Sequence, residues 1–250
     1  MNDIAKNLET WSKFDWDGDG RGGDRWSGGY GSPEAHWHFA IFPRIHRFFP
    51  AENVVEIAPS YGRWSQYLIP SSKKYVGIDL TPKCIDACRK RFGHEDHASF
   101  KLNDGLTLTD VKDNSVDFVY SLDSLVHCHG NVVESYVKEI LRVLKDTGTA
   151  FIHHSNLASV PEAKSDSRYK LHWRAGDVSA NTVRNMITNA GGTPYSQELV
   201  NWGDSPYLLD SYTIFGSNIR ESQPYRRIEN PNHMLEAYHI RSIRLAYCES

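Results

Sequence analysis

The sequence has few cysteines, and none of them forms a Cys-x-x-Cys pair. Four of its 250 residues are cysteine: Cys84, Cys88, Cys128 and Cys248. Cys84 and Cys88 are four residues apart on one predicted helix, a spacing more typical of a packed helix face than of a metal site. The cysteine content therefore favours a protein whose thiols stay reduced.

Long apolar runs and a strong net charge are also missing. No stretch approaches the roughly 18 apolar residues that a membrane-spanning helix requires, and the N-terminus lacks the apolar core of a signal peptide. Both absences favour a cytoplasmic protein with no membrane span. The formal net charge is −3, which argues against nucleic acid as the main partner. The length fits one α/β domain with additions.

A strand that runs into a turn of small residues is the first positive signal. The strand reads Val-Val-Glu-Ile over residues 54–57, and Ala58, Ser60 and Gly62 then alternate with larger residues. Small residues at such a turn let the backbone approach a ligand at the start of the following helix. This pattern predicts a ligand site directly after the first strand.

The second strand predicts what that ligand is. Tyr75–Asp79 is a short apolar run that ends in a carboxylate. An acid in this place of a doubly wound fold binds the ribose hydroxyls of a nucleoside. The first turn does not read Gly-x-Gly-x-x-Gly, which argues against NAD as the nucleoside.

At this turn the chain resembles the class I S-adenosylmethionine (SAM) dependent methyltransferases, whose first motif is Glu/Asp-x-Gly-x-Gly-x-Gly. Ala58 and Ser60 replace the first two glycines, and Gly62 is kept. The resemblance implies SAM as the cofactor, with its ribose on Asp79. It also implies that these residues of the turn bind the cofactor: Glu56, Ala58, Ser60, Gly62 and Trp64.

The rest of the chain follows the order of the same family. Further candidate strands are Ala98–Asn103, Val116–Ser121, Thr149–His153, Glu198–Trp202 and Ser211–Phe215. Residues 139–148 resemble the family's Arg-Val-Leu-Lys-Pro-Gly-Gly segment. The resemblance implies that Asp104 and Gly105 lie near the adenine and that Ser121 borders the cofactor. The predicted fold is a Rossmann-like, doubly wound α/β sheet of seven strands, mostly parallel with an antiparallel last strand.

Additional segments flank this predicted domain of residues 50–216. The N-terminal segment 1–49 combines glycines with aromatic residues, which suits a lid that closes over a ligand. Trp26 is predicted to contact the cofactor from this lid. The C-terminal extension 217–250 holds a candidate helix, Met234–Tyr247, which packs on the domain or supports a homodimer.

The N-terminal segment has two alternative interpretations, a calcium loop and a disordered leader. Asp15–Gly20 copies the start of a calcium loop, but Trp26 stands where such a loop needs a glutamate. Calcium binding is therefore not expected. A disordered leader is the second alternative, and the aromatic content of the segment argues against it.

Histidines gather at the predicted ends of the fourth and fifth strands: His127, His129, His153 and His154. Methyl transfer to a hydroxyl needs a base, and a neutral histidine suits that task. His154 is predicted to be the general base, with His127 and Asp123 orienting it or the acceptor. A Mg²⁺ site at Asp123, His154 and Asn156 is the alternative, although Mg²⁺ prefers carboxylates and water.

The acceptor is predicted from the remaining polar and aromatic residues. Candidates for its site are Arg174, Asp177, Trp202 and Asp210. The Trp-Ser-Gly leader and the His-His-Ser-Asn strand end resemble methyltransferases of bacterial polysaccharide and glycan biosynthesis. We therefore expect an O-methyltransferase that acts on a hydroxyl of a sugar, sugar phosphate or glycan. The alternatives are a methyltransferase for a small natural product or amine, and a protein that binds SAM without turnover.

Overall fold

The fold was determined as a computed structural model, which describes residues 3–16, 18, 23–168, 171, 173–217 and 224–248. Its sheet has eight strands: β1 Ala51–Ile57, β2 Ser72–Asp79, β3 Ala98–Leu102, β4 Val116–Ser121, β5 Leu144–Ser155, β6 Thr193–Val200, β7 Asp210–Gly216 and β8 Arg226–Asn230. None of the helices in the described ranges is long and apolar enough to cross a membrane.

The α-helices alternate with the strands in the central part of the chain. They are α1 Asp3–Lys13, α2 Pro33–Ala35, α3 Phe42–Ile45, α4 Ser65–Leu68, α5 Pro82–Phe92, α6 Gly130–Val143, α7 Ala180–Asn189 and α8 His233–Cys248. A π-helical segment, His36–Ile41, joins α2 to α3. Short 3₁₀ turns lie at Asp24–Tyr30, His46–Phe48, Ile69–Ser71, Leu125–His127, Leu157–Ser159 and Pro161–Lys164.

The strand order confirms the predicted Rossmann-like fold. The sheet runs β3-β2-β1-β4-β5-β7-β6-β8. Only β7 runs against its neighbours, β5 and β6, and the other adjacent pairs are parallel. The order reverses between β1 and β4, and open α/β sheets bind their ligands at such a switch point.

The sheet has one strand more than the seven that the sequence predicts. Strand β8 pairs in parallel with β6 at the edge of the sheet, and four of its five residues are exposed. An exposed edge strand buries no apolar face, so its sequence carries little of the periodicity by which strands are recognised. Residues 218–223, which lead into β8, lie outside the described part of the chain.

Both faces of the sheet are buried, which explains the apolar runs in its strands. Adjacent residues of a strand point to opposite faces, and the core divides accordingly. Val55, Val119 and Ile152 pack with α6 and α7 on one face. Val54, Phe118 and Phe151, their neighbours in sequence, pack with the N-terminal helices, α4 and α5 on the other.

Helix boundaries follow local capping. Ser179 caps the N-terminus of helix α7, since its hydroxyl accepts from Thr182 N in a capping box. Asp177, two residues earlier, accepts from Gly130 N at the start of α6. The carboxylate thus satisfies a free N–H at the N-terminus of a different helix, where negative charge is favourable.

An ion pair joins the N-terminal helices to the sheet. Arg44, on α3, donates to both carboxylate oxygens of Glu198, on β6, at 2.6 and 2.5 Å. The two side chains are 20% and 15% exposed. Asn230, on β8, donates to the same carboxylate at 3.0 Å. Glu198 therefore links the N-terminal segment, the sheet and the C-terminal extension.

We predict that Glu198→Ala destabilises the protein, because Arg44 is then buried without its partner. The expected loss is about 3 kcal/mol in the free energy of unfolding, measured by denaturant titration. Glu52→Ala is the matched control, since Glu52 pairs with Lys73 on the open surface, and it should cause no measurable change. Equal losses in the two variants would contradict the assigned role of Glu198.

Candidate active site

A pocket opens at the carboxyl edge of the sheet, beside the switch point between β1 and β4. Its wall comes from the segments that follow β1, β2 and β4, together with α1 and the N-terminal 3₁₀ turn. Of the thirteen residues predicted to bind the cofactor or take part in catalysis, eight line it: Trp26, Ala58, Ser60, Trp64, Asp79, Gly105, Asp123 and His127. Five others lie outside the lining: Glu56, Gly62, Asp104, Ser121 and His154.

The turn after β1 has the backbone conformation that a glycine motif would provide. Ala58 and Ser60 adopt φ values of 58° and 56°, in the left-handed region that costs a residue with a Cβ roughly 1–2 kcal/mol. Asp79, at the end of β2, holds the turn by accepting from Ser60 N at 3.1 Å. The replacements therefore keep the path of the backbone, and their side chains are small enough to leave the pocket open.

Asp79 is a buried carboxylate at the pocket wall. Besides Ser60 N, it accepts from Thr81 N at 2.8 Å. Burial raises the pKa of Asp79 to about 6, although the N–H groups of Thr81 and Ser60 act in the opposite direction. The group is therefore ionised at neutral pH and able to accept charge-assisted hydrogen bonds.

Three of the residues predicted to bind the cofactor lie outside the pocket lining and make structural contacts around the turn. Glu56 is fully buried beneath it, where its carboxylate accepts from Ser65 Oγ at 2.6 Å and from the Tyr75 hydroxyl. A Cβ on Gly62 would lie 2.3 Å from the ring of Phe92, so this glycine is required by packing.

Ser121 is the third of these, and its hydroxyl donates to Ile57 O at 3.2 Å in the interior. Side chains of β1 and β4 that are buried against the face of the sheet, such as those of Glu56 and Ser121, do not extend into the pocket at the edge of the sheet. Glu56, Gly62 and Ser121 therefore lie outside the pocket lining, and their cofactor contacts stay a prediction.

Of the two residues predicted to lie near the adenine, one lines the pocket and the other does not. Gly105 lines the pocket with a φ of +79°. Asp104 turns the other way and accepts from the backbone N–H groups of Leu106 and Thr107, both at 2.8 Å. Its carboxylate shapes the loop after β3, and only its neighbour reaches the pocket.

A buried line of charges runs along the base of the pocket: Arg63, Asp123, His153, Asp210 and Arg174. We call this set the charge line. Arg63 Nη2 lies 2.5 Å from Asp123 Oδ2. His153 lies between the two carboxylates, at 3.1 Å from Asp123 Oδ1 and 3.2 Å from Asp210 Oδ2. Arg174 donates to both oxygens of Asp210, at 2.9 and 2.7 Å.

The fold brings the charge line together from distant parts of the chain. Asp123 follows β4, His153 is near the end of β5, and Asp210 begins β7. Because β7 is antiparallel, its first residue lies at the same edge as the last residues of β4 and β5. The sequence predicts a histidine cluster here, but it does not show that His153 is the member that contacts Asp123.

Electrostatic interactions within the charge line favour the protonated form of His153 and the ionised form of Asp123. Burial opposes protonation of His153, but Asp210 and Asp123 outweigh it and raise the pKa of its ring. Burial would raise the pKa of Asp123, but Arg63 and His153 hold it far below its usual range. Asp123 is therefore an anion fixed at the pocket wall and a poor proton acceptor.

His127 is the histidine that lines the pocket. Its Nδ1 lies 3.3 Å from the carbonyl oxygen of Trp173, which can only accept, so Nδ1 carries the proton and Nε2 keeps its lone pair. Burial, followed by the charge of Arg174, lowers the pKa of His127 to about 4. The ring is therefore neutral at physiological pH, with one nitrogen able to take a proton.

His154, the predicted general base, is placed away from the pocket. It is fully buried, and its Nε2 lies 2.7 Å from Thr213 Oγ1 while Nδ1 lies 2.9 Å from Ser155 O. Burial lowers the pKa of His154 to about 4. A ring enclosed in this way cannot reach a substrate, which argues against the predicted catalytic role.

The residues proposed for Mg²⁺ are occupied by other partners. Asp123 is paired with Arg63, His154 with Thr213, and Asn156 contacts Leu208 O and Ala180 N. Across the described ranges, no group of three or more His, Cys, Asp or Glu side chains could hold a metal ion.

The N-terminal segment contributes more of the wall than the sequence predicts. Helix α1 places Ile4, Asn7 and Trp11 in the lining, and Trp11 is 5.2 Å from the ring of His127. Their spacing, with Leu8, repeats every three or four residues and could have indicated this helix. Residues 17 and 19–22 of the predicted lid and calcium loop lie outside the described part of the chain.

Two of the four acceptor candidates lie at the pocket. Arg174 and Trp202 line it, and the guanidinium carbon of Arg174 is 5.2 Å from the centre of the Trp202 ring. Asp210 is buried behind them in the charge line. Asp177 lies at the start of α6, as described above.

A central segment of the sequence matches a known family of domains. Residues 55–152 match the family model described as a methyltransferase domain. This segment extends from β1 into β5 and contains the left-handed turn, Asp79, Asp123 and His127. No curated protein sequence matches the chain.

Solved structures share the fold at low sequence identity. A protein from Pyrococcus horikoshii OT3 is 20% identical, with a TM-score of 0.57 over 74% of this chain and 92% of that chain. A SAM-dependent methyltransferase from Methanosarcina mazei is 14% identical, with a TM-score of 0.55 over 70% and 97%. The N-methyltransferase NodS from Bradyrhizobium japonicum, in complex with S-adenosyl-L-homocysteine, is 17% identical, with a TM-score of 0.55 over 86% and 98%.

These matches agree with the turn, the acidic end of β2 and the pocket between them. SAM is the cofactor that such a domain uses. Residues 55–152 match a methyltransferase domain, and the protein is a SAM-dependent methyltransferase.

Proposed function

We propose that this methyltransferase acts on a hydroxyl group of a sugar, sugar phosphate or glycan. The observation that carries the proposal is the neutral ring of His127 at the pocket wall, with Nε2 free to accept a proton. Trp202 and Arg174 stand at the same end of the pocket and offer an aromatic face and hydrogen-bond donors. This combination suits an acceptor with apolar C–H faces and a rim of hydroxyls.

The other end of the pocket fits the cofactor. Asp79 would accept hydrogen bonds from the ribose hydroxyls, and the turn at Ala58 and Ser60 would face the methionine part. Trp26 would contact it from the N-terminal segment, and Trp64 from the turn after β1. SAM supplies an electrophilic methyl group when bound.

Proton removal is the task left to the protein. A hydroxyl loses its proton as it is methylated, and His127 Nε2 would take that proton. The contact between Nδ1 and the Trp173 carbonyl fixes the ring and its tautomer. Asp123 would accept a hydrogen bond from the acceptor or the cofactor, because Arg63 and His153 keep it ionised.

An amine acceptor is the second candidate. NodS, which shares the fold, is an N-methyltransferase, and an ammonium group would also have to lose a proton before it could attack. Arg63 and Arg174 line the pocket, but each is paired with a carboxylate, so local charge does not separate an amine from a hydroxyl acceptor and the acceptor test below decides between them. SAM binding without turnover would leave the free nitrogen of His127 without a function.

The acceptor class can be tested directly with the purified protein. We expect release of S-adenosyl-L-homocysteine from SAM in the presence of monosaccharides, sugar phosphates or oligosaccharides, with a methyl ether detected by NMR in the product. Primary and secondary amines of similar size serve as the comparison set. Methylation confined to the amines would replace the proposed function with its alternative.

Asp79→Asn should weaken SAM binding about tenfold or more at neutral pH, because it removes charge-assisted hydrogen bonds to the ribose. In the wild type, the affinity should also fall as the pH decreases through about 6, where the carboxylate becomes protonated. Calorimetry measures both effects. Asp104→Asn is the control with unchanged affinity, and the Asp79 assignment fails if the two variants bind alike.

His127→Ala should lower turnover by about 10²–10⁴ and keep SAM affinity, which is the signature of a lost base. With SAM saturating, kcat/KM for the acceptor should decline only near pH 4, because neutral His127 persists down to its lowered pKa. His94→Ala, on the exposed surface beside Glu95, is the matched control. An acid limb in the ordinary histidine range would exclude His127 as the base.

A further inference from the structure

We propose that Trp173 forms a stacking subsite for a second sugar unit at the mouth of the pocket. The acceptor is then an oligosaccharide or longer glycan, and the reacting unit enters the pocket while its neighbour lies on the indole ring. The inference rests on the proposed function and narrows its acceptor class.

The first observation is the exposure of this side chain next to the pocket. Trp173 is 67% exposed, although burying an indole ring is favourable. It directly precedes Arg174, which lines the pocket, and its carbonyl holds His127 Nδ1. The exposed ring is therefore fixed to the same segment that positions the proposed base.

The second observation is the conformation of the backbone. Trp173 has a φ of 59°, which is a genuine outlier for a bulky residue. Bonds on either side hold this conformation, since Arg174 N donates to Leu171 O at 3.1 Å and Ala175 N to Val126 O at 2.9 Å. Strained residues of this kind cluster at ligand clamps.

The third observation is the continuity of the aromatic wall. The ring of Trp173 meets that of Trp11 edge-on, with centroids 6.2 Å apart, and Trp11 lines the pocket. The wall thus extends from His127 inside the pocket, through Trp11, to Trp173 outside it. A flat ligand leaving the pocket would pass over the indole face.

Aromatic rings bind cations as well as sugars, and the Arg174 guanidinium beside the pocket is neutralised by its pair with Asp210. Local charge therefore does not decide between the two kinds of ligand. The C–H face of a neutral sugar packs on indole, and its hydroxyls remain available to water and to the polar groups of the rim. The sugar acceptor proposed for the pocket makes a sugar the expected occupant of the indole face, and the fluorescence measurement below distinguishes it from an ammonium ligand.

The test compares acceptors of one and several sugar units in wild type and Trp173→Gly. Glycine adopts positive φ readily, so this variant removes the ring and the backbone strain together, and its melting temperature should not fall. We expect the ratio of kcat/KM for the oligosaccharide to that for the monosaccharide to drop about tenfold, as for loss of one stacked ring. Trp173→Phe should restore part of the ratio.

Phe39→Ala is the control, because Phe39 is 64% exposed and lies outside the pocket lining; its ratio should equal that of the wild type. If the ratio of kcat/KM values is unchanged in Trp173→Gly, the stacking subsite is overturned. The proposed function still holds in that case, provided that the wild type methylates a sugar. Absence of turnover on any sugar by the wild type overturns both. Trp173-dependent quenching of fluorescence by tetramethylammonium, without quenching by oligosaccharide, also overturns the subsite.

Discussion

The charge line is the constraint on which the rest of the active site depends. It joins Arg63, beside the proposed cofactor end of the pocket, to Arg174, beside the proposed acceptor end, through two carboxylates and one imidazole. Their side chains are at most 15% exposed, so each needs its neighbours of opposite sign to offset the loss of hydration. Removing one member would leave an uncompensated charge inside the protein. The two ends of the pocket are therefore held in one fixed relation by electrostatics.

Much of the fold could be predicted from the sequence, because both faces of the sheet are covered. Strands buried on two faces read as continuous apolar runs, and the turn after β1 and the acid at Asp79 mark the switch point. The exposed edge strand β8 lacks that signal. Helix α1 was not predicted for a different reason, since the N-terminal segment 1–49 was interpreted from its glycines and aromatic residues, and not from the helical spacing of Ile4, Asn7 and Trp11, which line the pocket.

Site residues were harder to predict than strands, because neighbouring side chains of a strand point to opposite faces. The choice between His153 and His154 is the clearest case. Both end a strand at the right edge, but only His153 lies between Asp123 and Asp210, and His154 points into the layer beneath. The same alternation puts Glu56 and Ser121 inside. The sequence pattern of a strand predicts which residues lie at the edge of the sheet. Which of their side chains reaches the ligand depends on tertiary packing.

The two ends of the chain meet behind the charge line. His233, at the start of α8, has its Nε2 2.8 Å from the hydroxyl of Tyr30 and 3.2 Å from that of Tyr212, and the ring of Tyr212 is 4.9 Å from that of His153. Closing a loop of this length is entropically costly until the intervening sheet has formed. During synthesis on the ribosome, the nucleoside-binding half of the sheet can assemble first, whereas the surroundings of His153 are completed only after α8 has emerged.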